Sequence, residues 1–265
     1  MSNIARAFTA ADGSRKKAFI PFITCGDPTL DVTEEAVVAM VDAGADLIEL
    51  GIPFSDPTAE GPVIQMANVR ALSNGITTDD VLELARRIRA RTDVPMVFMT
   101  YANVVFSYGT ERFAAAAADI GMDGVILPDV PYEEKREFSE PFAAEGLDLV
   151  SLIAPTSNER IKMIAKDAAG FVYCVSSLGV TGVRSEITTD IGAMVSLVRE
   201  ATDLPVAVGF GISTPETAAA MAAKSDGAIV GSAIINILAE YGKDAVPHVA
   251  EYVKSMADAV HALNA

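Results

Sequence analysis

Eight short apolar runs recur along the chain, each followed by a loop and then by a helical pattern. Each run is about four to seven residues long and continuously apolar, which is typical of strands buried on both faces of a parallel sheet. The runs are 18–24, 47–51, 95–100, 124–127, 147–153, 170–175, 205–209 and 227–230. Eight strand–helix units within 265 residues predict an α/β fold, a (β/α)8 TIM barrel. A doubly wound parallel sheet is the alternative that the pattern leaves open.

The segments between these runs have the apolar spacing of amphipathic helices. Thr156 and Glu159 form a capping-box pattern at one helix start, and Pro131 and Pro215 suit the first turns of two others. The predicted helices include 78–91, 157–168, 131–144, 215–223 and 246–263. Since no linker or low-complexity segment interrupts the pattern, we expect residues 1–265 to form a single barrel domain with an extra N-terminal helix.

The net charge and the few cysteines and histidines of the chain limit which partners and which cellular compartment we expect. The net charge of −16 argues against nucleic acid and anionic membranes, although backbone N–H groups can still bind a small phosphorylated molecule. Cys25 and Cys174 lie in or beside apolar runs, and no uncharged run approaches membrane-spanning length, so we expect a cytoplasmic protein. His248 and His261 fall in the last helix, where we expect solvated positions, so neither a metal site nor histidine acid–base chemistry is expected.

Glycines after the last two strands indicate a phosphate site. Gly209 and Gly211 follow the seventh run, and Gly231 with Ser232 follows the eighth and opens a further short helix, 233–240. In barrels of this type, phosphate often binds between these two loops and the N-terminus of that helix. Ser232 could cap the helix and also donate to the phosphate. The alternative is that the glycines only form tight turns.

The stretch 49–62 carries three carboxylates at the end of the second run. Glu49 ends the strand, where apolar neighbours would raise its pKa and suit it to proton exchange near neutral pH. An ion pair that closes the barrel rim is the alternative for Glu49. Glu60 and Asp56 lie on the loop, where each by itself would be an ordinary solvated acid, a turn residue or a partner contact. The polar segment 176–185 could close over a substrate, or be a plain surface loop.

Several stretches in this order resemble the tryptophan synthase alpha subunit family from end to end. They are 21–28, 49–57, 61–65, 152–156, 179–182, 209–213 and 231–233, that is PFITCGDP, ELGIPFSDP, GPVIQ, LIAPT, GVTG, GFGIS and GSA. The resemblance implies a lyase that cleaves indole-3-glycerol phosphate to indole and glyceraldehyde 3-phosphate by a retro-aldol reaction. The indole would pass to a beta subunit for tryptophan synthesis, within an α2β2 complex.

The same resemblance assigns roles to residues of this chain. Glu49 would be the acid–base group, Glu60 would accept a hydrogen bond from the indole N–H, and Thr181 would orient that carboxylate. The implied phosphate site is Gly182, Gly211, Gly231 and Ser232, and the implied indole slot is Phe22, Ile64, Thr100, Leu127, Tyr173, Phe210 and Ile229. No metal, nicotinamide or Schiff-base lysine is implied, and pyridoxal phosphate is expected only on the beta subunit. The segments 53–58 and 129–131 and Asn103 would contact that partner.

One position departs from the family pattern. The family usually has aspartate where this chain has Glu60, and the extra methylene moves the carboxylate by roughly 1.5 Å. A displacement of that size can cost ~10²-fold in rate. Two alternatives therefore stay open: a weakly active chain that mainly serves as the allosteric partner of a beta subunit, and another phosphate-binding barrel enzyme such as an isomerase.

Overall fold

The computed structural model describes residues 2–175, 190–209 and 211–264. Eight parallel strands form a closed barrel in which each strand pairs with the next and β8 pairs with β1. The strands are β1 Ala18–Thr24, β2 Ile48–Gly51, β3 Met96–Met99, β4 Gly124–Ile126, β5 Asp148–Ile153, β6 Ala169–Val175, β7 Val206–Gly209 and β8 Gly227–Val230. The predicted (β/α)8 barrel is confirmed, and the doubly wound sheet is wrong because a sheet of that type has open edges.

The helices follow the strands in the predicted alternation. They are α1 Ile4–Ala7, α2 Leu30–Asp42, α3 Pro62–Ser73, α4 Thr78–Arg89, α5 Ala102–Tyr108, α6 Thr110–Ile120, α7 Arg136–Ala144, α8 Asn158–Lys166, α9 Ile191–Arg199, α10 Pro215–Lys224, α11 Ser232–Tyr241 and α12 Val246–His261. Both extra helices are present, α1 before β1 and α11 after β8. Among the described residues, no helix is long and apolar enough to cross a membrane.

Two predicted helix starts were wrong. The N-cap of α8 is Ser157, whose hydroxyl accepts the Arg160 N–H, and not Thr156 one residue earlier. The helix after β4 begins at Arg136 because the chain first turns after Pro131, where the Glu134 N–H donates to the Pro131 carbonyl. Pro215 does open α10, with Thr214 as its N-cap.

The register of the strands fixes which side chains point into the barrel. A Cβ atom at Gly51 would come within 2.7 Å of the Phe22 ring, so Gly51 lies directly against that ring. The face of β2 that Gly51 occupies is therefore the interior one. Glu49 lies two residues earlier and therefore shares that face. Below the mouth, the Phe171 ring stacks between Phe8 of the N-terminal segment and Tyr173, and so helps to fill the interior.

Three buried aspartates join neighbouring strands at the opposite end of the barrel. Asp46, Asp123 and Asp226 lie just before β2, β4 and β8. Each forms two hydrogen bonds to the neighbouring strand that comes earlier in the chain, β1, β3 and β7 respectively. The aspartate N–H donates to a carbonyl of that strand, and its carboxylate accepts the N–H of the same residue, as between Asp123 and Met96. Cations neutralise the three carboxylates: Lys16, Arg89, Arg15 and Arg199.

The two histidines occupy positions that the sequence did not reveal. His261 Nε2 lies 2.7 Å from Asp46 Oδ2, so this residue is half-buried in a contact between α12 and the barrel rather than simply solvated. The His248 ring stacks on Tyr241, with their centroids 3.7 Å apart.

Replacement of Asp123 tests the role of these aspartates. Asp123→Asn places an amide against the Met96 and Asn3 N–H donors and leaves Arg89 without its buried partner. We expect the free energy of unfolding to fall by about 2–4 kcal/mol in urea titrations. Asp119→Asn is the matched control, because Asp119 is 70% exposed and pairs with Arg86 at the surface. A change of less than about 0.5 kcal/mol is expected there, and equal effects of the two changes would contradict the assigned role.

Candidate active site

Glu49 lies buried at the mouth of the barrel, where the carboxyl ends of the strands meet. Its side chain is fully inaccessible, and neither carboxylate oxygen accepts a hydrogen bond from any residue that the structure describes. Burial raises the pKa of Glu49 to about 8, with a smaller contribution from the negative charge of Glu60. A carboxyl group in this state is protonated at neutral pH and can act as an acid. The rim ion pair considered as an alternative is absent from the described part of the chain.

Glu60 is buried beside this group and is not the solvated acid that its loop position suggested. Glu60 is only 3% exposed and immediately precedes Gly61, the N-cap of α3. The main chain is fixed on both sides, since the Glu60 N–H donates to Pro57 and its carbonyl accepts the Gln65 side chain at 2.8 Å. The fold therefore brings two carboxyl groups from separate segments to one mouth, as the resemblance implied.

Aromatic rings form part of the wall around the two carboxyl groups. Phe22 lies over Gly51 and beside Gly231, where an added Cβ would come within 3.1 Å of the ring. Tyr173 lies over Gly209, and any side chain there would meet its hydroxyl. Burial, then the charges of Glu49 and Glu60, raise the pKa of the Tyr173 hydroxyl well above its usual value. The glycines leave space for these rings, so the turns are not their only function.

The register adds two residues beside the predicted slot. Met99 pairs with Gly51 and with Ile126, so these residues share the interior face of Glu49. Thr100 follows the last residue of β3; it is buried, and its hydroxyl has no hydrogen-bond partner among the described residues. Thr100 therefore stays a predicted member of the slot, with Met99 beside it.

Ile126 joins the interior face in the same way. Leu127 follows the last residue of β4, is buried, and also lines a cavity of about 190 Å³ with Leu149 and Ile164 of α8. Because Thr100 and Leu127 both lie just past their strands, the alternation of faces within a strand does not assign either side chain, and both stay predictions. Ile64 and Ile229, the other slot positions, are buried on α3 and on β8.

Thr24 is a polar group at the mouth that the sequence reasoning missed. It lies two residues after Phe22 on β1, pairs with Gly51, and therefore faces the interior. Its hydroxyl is buried and has no hydrogen-bond partner within residues 2–175, 190–209 and 211–264. A polar residue at the end of an apolar strand was the signal that could have identified it. Together with Glu49, it offers a ligand two unsatisfied polar side chains.

The loops after β7 and β8 have the geometry expected of a phosphate site. Gly211 has φ +79°, a left-handed conformation that favours glycine. Gly231 is the N-cap of α11 and Ser232 is its first residue, so Ser232 is not the cap that the sequence suggested. The first N–H groups of α11 are available to an anion, and the helix dipole favours one there. Thr181, Gly182 and Phe210, with the segment 176–185, lie outside the described residues.

The segments predicted to contact a partner lie together beside the mouth. Phe54 packs on Tyr101 with ring centroids 5.3 Å apart, and the Ala102 N–H donates to both carboxylate oxygens of Asp129. Asn103 is exposed at the start of α5. Phe106, one turn later, is 71% exposed and is the most exposed large apolar side chain in the described part of the chain. Phe106 was not singled out from sequence, where an apolar residue in a helix reads as core.

In the ranges that the structure covers, no three His, Cys, Asp or Glu side chains converge as metal ligands would. Both cysteines are buried, and burial raises the pKa of the Cys174 thiol to about 12.

A closed (β/α)8 barrel with a buried carboxyl pair and a phosphate-type loop pair defines an acid–base enzyme of the barrel class. The family model for the tryptophan synthase alpha chain matches residues 8–262. The tryptophan synthase alpha chain of Geobacter sulfurreducens is 46% identical, over 98% of this chain and 99% of its own length. That of Thermoanaerobacter sp. strain X514 is 45% identical, over 97% of this chain and 98% of its own.

Solved structures agree with this comparison. The tryptophan synthase subunit alpha of Legionella pneumophila superposes with a TM-score of 0.89 at 40% identity, covering 98% of each chain. A chain of the tryptophan synthase complex from Pyrococcus furiosus gives 0.84 at 35% identity, covering 91% of this chain and 98% of its own. The chain belongs to the tryptophan synthase alpha chain family.

The raised pKa of Glu49 predicts a specific dependence of stability on pH. Between about 4.5, the ordinary value, and about 8, the folded chain binds a proton that the unfolded chain releases. Glu49 therefore costs stability as the pH rises through this range, and Glu49→Gln removes the cost. We expect the variant to be more stable than the parent by about 3–5 kcal/mol at pH 9, with the difference vanishing near pH 4.5. Urea unfolding across this range measures it, with the exposed Glu83→Gln as control; a pH-independent difference would contradict the prediction.

Proposed function

We propose that this chain is a lyase that cleaves indole-3-glycerol phosphate to indole and glyceraldehyde 3-phosphate. The observation that carries the proposal is the buried carboxyl of Glu49 on β2, which has no hydrogen-bond partner in the part of the chain that the structure describes. The second buried carboxyl, that of Glu60, lies beside it. The phosphate-type loops after β7 and β8 and the aromatic wall supply binding sites for the two ends of such a substrate.

Glu49 acts as both acid and base in the proposed reaction. Its neutral carboxyl donates a proton to indole C3, which makes the bond from C3 to the glycerol carbon breakable. The electrons of that bond return to the indole ring as it breaks. The carboxylate of Glu49 then takes the proton of the adjacent glycerol hydroxyl, which becomes the aldehyde. Glu49 ends protonated, so one group suffices for the whole cycle.

Glu60 acts by charge. Protonation at C3 places positive charge on the indole nitrogen, and a carboxylate that accepts the N–H hydrogen bond stabilises it. Because the Glu60 charge contributes to the raised pKa of Glu49, the site favours one neutral and one ionised carboxyl group. The two roles thus need different protonation states. Because the two carboxyl groups lie close together, the charge of Glu60 helps to keep Glu49 protonated.

The remaining residues bind the substrate. In this proposal, apolar residues surround the indole, with Thr181 and Phe210 as expected members outside the described residues. The described members are Phe22, Ile64, Thr100, Leu127, Tyr173 and Ile229, with Met99 and Ile126 beside them. Thr24 is placed to bond a glycerol hydroxyl. N–H groups at Gly211, Gly231 and Ser232, with Gly182, hold the phosphate.

The partner in this proposal is a tryptophan synthase beta subunit in an α2β2 complex, which takes up the indole. Pyridoxal phosphate belongs to that subunit, and this chain works without a cofactor, in the cytoplasm, as one domain of residues 1–265. The edge formed by 53–58, α5 and Asp129 would meet the beta subunit, with Phe106 as its apolar anchor.

Glu60 keeps a second candidate function open: a weakly active chain that mainly activates the beta subunit. The assay that separates the two is indole release from indole-3-glycerol phosphate by the purified chain, alone and with beta subunit. Indole release supports the lyase. Its absence under both conditions, together with activation of the beta subunit, supports the second candidate.

The acid–base assignment makes a direct prediction. Glu49→Gln removes the transferable proton while conserving shape, so we expect indole release to fall by ~10³-fold or more. Binding of glyceraldehyde 3-phosphate, measured by calorimetry, should stay within about twofold, because the phosphate loops are unchanged. Turnover close to that of the parent chain would remove Glu49 from this role.

The partner surface makes another prediction. Phe106→Ala removes the proposed anchor, and we expect affinity for the beta subunit to fall by roughly 30-fold or more, or ~2 kcal/mol. Leu263→Ala is the control, because Leu263 is also exposed but lies next to Asn264, which bonds Lys17 at the opposite end of the barrel. Binding is measured by titration calorimetry. Equal affinities for both variants would place the interface elsewhere.

A further inference from the structure

We propose that Tyr101 is a positioning residue that holds the carboxylate of Glu60 in the place where it meets the indole N–H. The inference rests on the proposed function. It concerns a residue outside the predicted set, and it accounts for how this chain accommodates glutamate where its family usually has aspartate.

The side chain of Tyr101 is fixed at both ends. The residue follows β3, is the N-cap of α5, and is 3% exposed. Its ring packs against Phe54 on the loop before Glu60, with the centroids 5.3 Å apart. Its hydroxyl oxygen accepts the Ala59 N–H at 3.1 Å. Tyr101 therefore spans the barrel wall and the loop that carries Glu60.

The bond from Ala59 determines where the hydroxyl proton of Tyr101 can go. A tyrosine hydroxyl has one proton and accepts through its lone pairs. Because the Ala59 N–H occupies the accepting side, the proton is free to point to another acceptor, and the carboxylate of the next residue, Glu60, lies within reach. Burial, then the charge of Glu60 and, to a smaller degree, a hydrogen bond to it, raise the pKa of Tyr101 well above its usual range.

Glutamate has one more rotatable bond than aspartate at this position, so its carboxylate has more positions available. The bonds of Gln65 and Pro57 hold the main chain of Glu60 in place. A rigid hydroxyl donor next to the carboxylate selects among the remaining rotamers. Positioning of this kind affects the rate more than substrate binding, since the charge on the indole nitrogen appears only as the reaction proceeds.

The test is Tyr101→Phe, which removes the hydroxyl and keeps the ring on Phe54. A hydrogen bond to a charged group is worth a roughly 10- to 100-fold effect. We therefore expect kcat for indole release, measured on the full chain with beta subunit, to fall at least tenfold, while KM changes less than threefold. Tyr241→Phe is the matched control, because Tyr241 ends α11, stacks on His248 and lies outside both the site and the proposed partner edge. An unchanged kcat in Tyr101→Phe would overturn the proposal.

A second measurement does not depend on turnover. The described titratable groups that interact with Glu60 are Glu49, Tyr101 and Tyr173, and Asp129 acts in turn on Tyr101. A hydrogen bond to a carboxylate favours its charged form, so its loss should raise the pKa of Glu60. We expect NMR titration of carbon-13-labelled glutamate, with Glu60→Gln to assign the signal, to show an upward shift of half a unit or more in Tyr101→Phe. A merely structural role would leave that pKa unchanged.

The two readouts separate the failure of this proposal from the failure of the function. If the parent chain releases no indole, the proposed function fails, and the titration alone decides on Tyr101. If the parent chain is active and neither kcat nor the Glu60 pKa responds to Tyr101→Phe, only the positioning role is lost. Thermal unfolding of both variants shows whether a lower rate reflects a misfolded chain.

Discussion

The closed register of the barrel buries the carboxyl group of Glu49 at the mouth with no hydrogen-bond partner or cation beside it among the described residues, and the chemistry of the site depends on this burial. Because β2 pairs with both β1 and β3, Glu49 cannot leave the interior face without breaking two ladders. Its pKa is therefore raised by the fold itself. The loop before α3 brings Glu60 to the same mouth, where its negative charge raises the pKa of Glu49 further. In the proposed reaction, Glu60 is the ionised group that stabilises positive charge on the indole. The acid and the electrostatic group are thus distinguished by environment and not by residue type.

The two ends of the barrel use buried carboxylates in opposite ways. At the end away from the site, Asp46, Asp123 and Asp226 each accept a main-chain N–H and face a cation, so their charge is compensated. At the mouth, Glu49 has neither kind of partner among the described residues. A carboxylate that is paired with N–H donors and a cation stays charged and joins strands. A buried carboxyl group without such partners keeps its proton and can donate it in a reaction. Stability and reactivity are therefore assigned to separate ends of the same strands.

Much of the fold could be predicted from sequence, since buried parallel strands are continuous apolar runs and leave a clear signal. Glu49 could be found as well, because a carboxylate at the end of such a run is unusual. The interior positions of Met99 and Ile126 could not, because only the strand register shows which residues share the face of Glu49. Tyr101 and the three aspartates were missed for another reason. Their partners are distant in sequence, so only the folded chain shows what they bond.

Tyr101 also belongs to the edge proposed for the partner. Its ring touches Phe54, its own main chain begins α5, and the next residue is bonded to Asp129. The Phe54 ring contacts the ring of Tyr101, and Asp129 holds the main chain directly after it. If Tyr101 positions Glu60 as proposed, a shift at either contact moves the same hydroxyl group. A subunit docked on this edge would then change the rate of bond cleavage through a residue that it need not touch.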